Sequence, residues 1–150
     1  MEAISVKNLS VAYEDNLIID NMNLSIPKGE ISIIIGANGC GKSTLLKTIG
    51  RIIKPKNGEI FVNEKNIKKQ KEKEIATQVA FLPQGPTCPS GITVKELVAY
   101  GRFPHQKMIG GLNSHDKEII DWAIEETGLK EFADREIDLS LIHISERAGK

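Results

Sequence analysis

Nine residues constrain this chain more than any others: Gly36-Ala37-Asn38-Gly39-Cys40-Gly41-Lys42-Ser43-Thr44. They satisfy the spacing G-x-x-x-x-G-K-[ST], and their flanks are the ones that spacing requires. Upstream, Glu30-Ile31-Ser32-Ile33-Ile34-Ile35 is a short β-branched apolar run, which predicts a buried parallel strand. Downstream, Ser43 to Ile49 has helical spacing and good helix formers. A strand, a glycine-rich turn and a helix in this order predict an α/β fold with an anion cradle at the turn.

The chemistry follows from the backbone. Gly36, Gly39 and Gly41 let the chain turn tightly and aim successive N–H groups at one point. The helix that opens near Lys42 adds its positive end, worth a few tenths to about 1 kcal/mol for an anion. Lys42 brings a full charge suited to β and γ phosphates, and the Ser43 hydroxyl is suited to Mg²⁺. Asn38, Cys40 and Thr44 complete the cradle, with the Cys40 thiol incidental because the backbone does the binding. The reading is a nucleoside triphosphate site.

Composition narrows the setting. The 150 residues are 40% hydrophobic and 27% charged, and 20 Lys+Arg balance 20 Asp+Glu. That is one globular domain or part of a larger one, without a global field for nucleic acid or anionic lipid. No secretion signal and no run of 18 apolar residues is present. Cys40 and Cys88 are too few for a disulfide framework or a zinc site, which favours reducing cytosol. His105 has no partner ligand at useful spacing and reads as loop packing.

In chain order, Ile4, Val6 and Leu9 alternate with polar neighbours over Met1 to Leu9, and Asn21 to Ile26 alternates likewise. Two antiparallel strands therefore precede the glycine loop. Glu59 to Val62 is a further strand, and Val79 to Leu82 a buried one ending at Pro83-Gln84. Lys65 to Glu74 carries five lysines without interleaved aromatics, so a solvated helical face is preferred over a nucleic-acid patch. Thr93 caps a helix over Val94 to Gly101, a loop spans 102 to 113, and Ser114 caps a helix over Asp116 to Thr127 stopped by Gly128.

By Gln84 the landmarks resemble the ATP-binding subunits of ABC transporters over about residues 2 to 138. Tyr13 matches the aromatic position on which the family stacks adenine, Gly36 to Thr44 its Walker A loop, and Phe81-Leu82-Pro83-Gln84 its Q-loop. The resemblance implies that Gln84 contacts Mg²⁺ and the attacking water, so that Lys42 and Gln84 are catalytic and Ser43 and Gln84 hold the metal. Thr93 to His105, with Gly-Arg-x-Pro-His at its end, resembles the importer group for ferric siderophores, haem or cobalamin. The fold implied by resemblance is an ABC ATPase core, truncated, with an N-terminal antiparallel part and a helical subdomain from about residue 89. Also implied are ATP and Mg²⁺ as ligands, a peripheral place on the cytoplasmic side of the membrane and no nucleic acid. The implied partners are permease subunits, a second copy of the ATPase subunit and, indirectly, a substrate-binding protein. The surface through Arg102 would meet the permease.

The pattern breaks after Asp138. Where the family has L-S-G-G-Q/E, this chain reads Asp138-Leu139-Ser140-Leu141-Ile142-His143-Ile144-Ser145, and no Walker B strand or switch histidine follows. Leu139 to Ser145 also looks like a translated transposase end, so residues 139–150 read as an atypical tail on the front half of a longer protein. The 150 residues are then expected to bind ATP without turning it over. Competing readings are a soluble ABC ATPase acting on nucleic acid or ribosomes, disfavoured by balanced charge, and a P-loop small-molecule kinase, disfavoured by Tyr13 and the two leading strands.

Overall fold

A computed structural model describes residues 1–85, 89–106 and 110–137. Cys88 and the residues after Ile137 lie outside them. The chain packs as two units, Met1–Phe81 and one that begins at Leu82.

In the first unit β1 (Glu2–Tyr13) and β2 (Asn16–Pro27) form the hairpin expected from their alternation, longer than its apolar pattern. β3 (Asn57–Val62) and β4 (Lys65–Asn66) extend it into an antiparallel sheet of order β2-β1-β3-β4. The spacing Val6 to Leu9 is odd for a strand, and a register shift between them resolves it. Asn8 takes φ 48° there, its N–H held by the Asn23 side chain at 3.0 Å, and so Val6, Leu9 and Val11 all face inward. Opposite the bulge, Gly58 has φ 89°, and a Cβ on it would meet Asn8 O at 2.5 Å and Leu9 Cα at 2.6 Å. Only glycine fits that close pairing.

Helix α1 (Lys42–Ile49) lays Leu45 and Ile49 on the core made by Val6, Leu9, Val11, Ile19 and Ile60. Its buried Thr48 hydroxyl donates to Thr44 O at 2.7 Å, so no polar atom is stranded there. The lysine-rich stretch is not one helical face. It divides into β4, a 3₁₀ turn at Ile67–Lys69 and a short α2 (Glu72–Ala76). Ile67 and Ile75 are buried in the core, and the Asn66 side chain accepts from Lys68 N–H at 2.9 Å, which breaks the run.

Two expected strands are absent among the described residues. Residues 31–37 form no strand, and Ile31, Ile33 and Ile35 are 95%, 78% and 89% exposed. Only Ile34 touches the core. Val79 to Leu82 is likewise unpaired, with Val79 on the core, Phe81 against Gly50 and Leu82 exposed. A parallel strand is held by neighbours on its edges, and among the described residues none pairs with either segment.

In the second unit α3 (Val94–Tyr100) starts at a Thr93 capping box: Thr93 Oγ1 accepts from Glu96 N–H at 3.2 Å, and Glu96 Oε2 accepts from Thr93 N–H at 2.8 Å. α4 (Ser114–Glu126) is capped by Asn113, not by Ser114. The reason is reciprocal. Three residues past Asn113 stands Asp116, which can accept from the cap's N–H; three past Ser114 stands Lys117, which cannot. Ile120 and Ile124 are buried, and Thr93 bridges Glu136 where the chain returns past α3.

Candidate functional site

Gly41 is the N-cap of α1 in the left-handed region at φ 93°, a conformation that strains any side chain. Ile18 and Ile19 of β2 close off the same space, for a Cβ there would meet them at 3.2 and 3.3 Å. With no side chain capping α1 and no acidic residue in its first turn, its leading N–H groups stay open to an anion. Gly39 also has positive φ, and the Cys40 sulfur folds back over Gly36. Cys40 itself is exposed.

Lys42 is curled into the loop. Its Nζ donates to Gly36 O at 2.7 Å and to Ala37 O at 2.6 Å, with Cys40 Sγ at 3.7 Å. These two carbonyls hold the ammonium against the loop backbone. Phosphate oxygens, being charged acceptors, form stronger bonds than carbonyls and would draw Nζ from them. Ser43 is exposed on the first turn, whereas Thr44 beside it is 7% exposed and packs toward the core. A hydroxyl on that open turn fits one ligand position of Mg²⁺, which usually takes few protein ligands and fills the rest with phosphate and water.

Tyr13 ends β1 and is 47% exposed, paired across the hairpin with Asn16. The start of β2 just beyond it packs on Gly41 through Ile18 and Ile19, so the hairpin end and the glycine loop share one region of the first unit. Gln84 is exposed and belongs to the second unit. Away from the loop, a cavity of about 560 Å³ opens between α1, β3 and α2, lined by Ile53, Ile60, Ile75, Val79 and Phe81; none of the expected nucleotide residues borders it.

Arg102 departs from its expected role as a surface contact. Its side chain is 16% exposed, and its Nε donates to Asp116 Oδ1 at 2.9 Å. Asp116 is buried; its other oxygen accepts from Asn113 N–H at 3.1 Å, and its own N–H donates to Asn113 Oδ1 at 2.9 Å. The Asn113 bond, reinforced by the Arg102 guanidinium, holds the Asp116 carboxyl below its usual range against the opposing effect of burial. The sequence alone did not reveal this pair, because the cap was placed at Ser114; the capping-box spacing from Asn113 to Asp116 was the available signal.

An uncapped helix start, positive-φ glycines and an inward lysine define a P-loop phosphate-binding protein. The ABC transporter family profile matches residues 19–146, and the chain belongs to that family. It is 51% identical over 138 residues to the iron(3+)-hydroxamate import ATP-binding protein FhuC of Bacillus subtilis, covering 92% of this chain and 51% of that protein. To the petrobactin import ATP-binding protein FpuD of Bacillus anthracis it is 46% identical over 136 residues, 91% of this chain and 50% of that protein. Among solved structures, it matches a transporter described as of the metal-chelate type, in an inward-facing conformation, at TM-score 0.71 and 31% identity. That match covers 91% of this chain and 49% of the solved one. The chain thus spans about half the length of the curated relatives it matches. Family membership carries nucleotide binding with it, and among the described residues no helix is long and apolar enough to cross a membrane.

Proposed function

We propose that this chain is the N-terminal portion, about residues 1–138 with a helical part from about 89, of an ATPase subunit that drives import of an iron chelate, haem or cobalamin. The observation that carries the reading is the Lys42 ammonium held on Gly36 O and Ala37 O in front of an uncapped helix start. ATP phosphates displace those carbonyls, Lys42 neutralises β and γ charge, and the leading N–H groups of α1 fix the phosphate chain. Ser43 and, by the family resemblance, Gln84 would hold Mg²⁺, which would supply further neutralisation of phosphate charge. Tyr13 stacks on adenine, and Gln84 orients the attacking water. The polarising carboxylate comes from chain beyond Asp138, and the complete subunit works as a pair on the cytoplasmic side of permease subunits fed by a substrate-binding protein. Support for the cargo class comes from relatives whose names specify iron(3+)-hydroxamate and petrobactin import. The surface from Thr93 to His105 docks on the permease.

The test is nucleotide binding and turnover in the complete protein. Lys42→Ala is expected to abolish ATP hydrolysis with the circular-dichroism melt unchanged; normal turnover overturns the reading. Tyr13→Ala weakens ATP binding by about 1–3 kcal/mol and Phe restores it, since the ring face does the stacking. An equal dissociation constant for Ala removes Tyr13 from the site.

A further inference from the structure

Successive residues of a strand face opposite ways, yet Ile18 and Ile19 both turn toward Gly41. The register of the hairpin explains it. Val11 pairs with Ile19 and Ala12 with Leu17, so Ile18 is left over between them as an extra residue. A bulge of this kind bends its strand and re-aims a side chain. The flanking Leu17 and Asp20 are exposed, whereas Ile19 is buried in the core and Ile18 half-buried against it. The atoms closest to where a Gly41 side chain would stand are Ile18 Cγ2, Ile19 Cγ1 and the Ile18 carbonyl oxygen. Gly41 in turn accepts from Leu45 N–H at 2.8 Å, the first backbone bond of α1, and no side chain caps that helix.

We infer that Ile18 is a positioning residue for phosphate binding: its Cγ2 methyl, brought over by the bulge, holds Gly41 in the left-handed conformation that starts α1. This rests on the reading of Gly36 to Thr44 as the ATP phosphate site. Glycine visits positive and negative φ about equally readily, so Gly41 does not keep φ 93° by itself. Were it to leave that conformation, the leading N–H groups of α1 would no longer converge on an anion. The methyl therefore presets the cradle before a ligand arrives, and binding is spared the cost of ordering it. Ile18 acts through Gly41 and not by touching the nucleotide. Its shape matters more than its bulk, because only a β-branched side chain carries a methyl at Cγ2.

The experiment titrates ATP and inorganic tripolyphosphate into the complete protein and its Ile18 variants, with a melting curve for each. Tripolyphosphate carries the phosphates without the nucleoside. Ile18→Leu keeps the apolar volume and loses Cγ2. It is expected to weaken both ligands by a similar factor, about tenfold if the cradle is then competent about one-tenth of the time. Ile18→Val keeps Cγ2 and should stay within about twofold of wild type for both. A residue that only filled space would rank the other way, with Leu tolerated and Val the weaker. Should the leucine protein melt early, Ile18→Thr carries the test, for it keeps Cγ2 at a loss of apolar volume and should bind both ligands as wild type does. Loss of ATP affinity alone, with tripolyphosphate unchanged, makes Ile18 a nucleoside contact and overturns the inference. So does unchanged affinity for both ligands in the leucine variant. A wild type that takes ATP but not tripolyphosphate overturns it as well, since a preset cradle needs no nucleoside. A wild type that takes neither ligand overturns the phosphate-site reading itself, and the inference with it.

Discussion

β1 and the segment 31–35 are both rich in β-branched apolar residues, yet one is the centre of the core and the other stands in solvent. β1 has β2 on one edge and β3 on the other, and Leu9 and Val11 are 0% exposed. Segment 31–35 has no strand beside it among the described residues, and three of its isoleucines are at least 78% exposed. Strand propensity in both is the same. What differs is the supply of edges: an extended chain satisfies none of its own backbone groups and must borrow partners. Helices α3 and α4 make the complementary point, for their leading N–H groups are met within three residues by Thr93 and Asn113.

The largest expected effect tests the two segments directly. Leu9→Ala should destabilise the first unit by about 2–5 kcal/mol in urea denaturation, because a filled core cannot collapse around the lost methyls. Ile33→Ser should change the same stability by less than about 0.5 kcal/mol, as for an exposed site. A large loss at Ile33 would show that 31–35 is packed after all, and the contrast would fail. Hydrogen exchange supplies a second reading: amides of β1 should be protected and those of 31–35 should exchange as an open chain does.

Next in size is the helix start. Thr93→Ala removes a cap that accepts from Glu96 N–H, and about 0.5–2 kcal/mol of stability in the second unit should go with it. Thr93→Ser should retain most of it. Equal losses for Ala and Ser would mean that the methyl, not the hydroxyl, was the stabilising group.

The smallest effect is a dependence on pH. The Asp116 carboxyl is held below its ordinary 3.8 in the folded state, chiefly by Asn113 N–H and then by Arg102. A depressed carboxylate contributes stability that is present above its unfolded value and lost as pH falls through the folded one. Wild type should therefore be more stable than Asp116→Asn from neutrality down to about pH 4, and the gap should narrow below 3.8. A gap that stays constant down to about pH 2 would show that Asp116 stabilises by shape, not by charge.

How much of this was legible beforehand depends on the range of the interaction. The glycine loop could be read because its motif is local: Gly36 to Thr44 announce a tight turn before a helix, whereas the left-handed N-cap at Gly41 and the Lys42 bonds to loop carbonyls came only from the structure. The hairpin was legible from alternation, although the bulge at Asn8 was not, since it depends on Asn23 across the sheet. The cap of α4 was misplaced by one residue because Ser and Asn are equally good caps until the residue three further on is considered.

The sequence by itself determined a glycine-rich turn before a helix, a leading pair of antiparallel strands and the helices α1, α3 and α4, for each is encoded by residues within a turn or two of one another. Only the tertiary structure decided which apolar runs are buried. Ile31 to Ile35 and Leu9 carry the same kind of side chain, and a partner strand distant in sequence makes the difference between them. It also decided that the Arg102 charge turns inward to Asp116 while Tyr100 and Phe103 turn outward. The physical reason is that a buried charge is stable only where a geometrically matched partner arrives from another element, and no local pattern records that arrival.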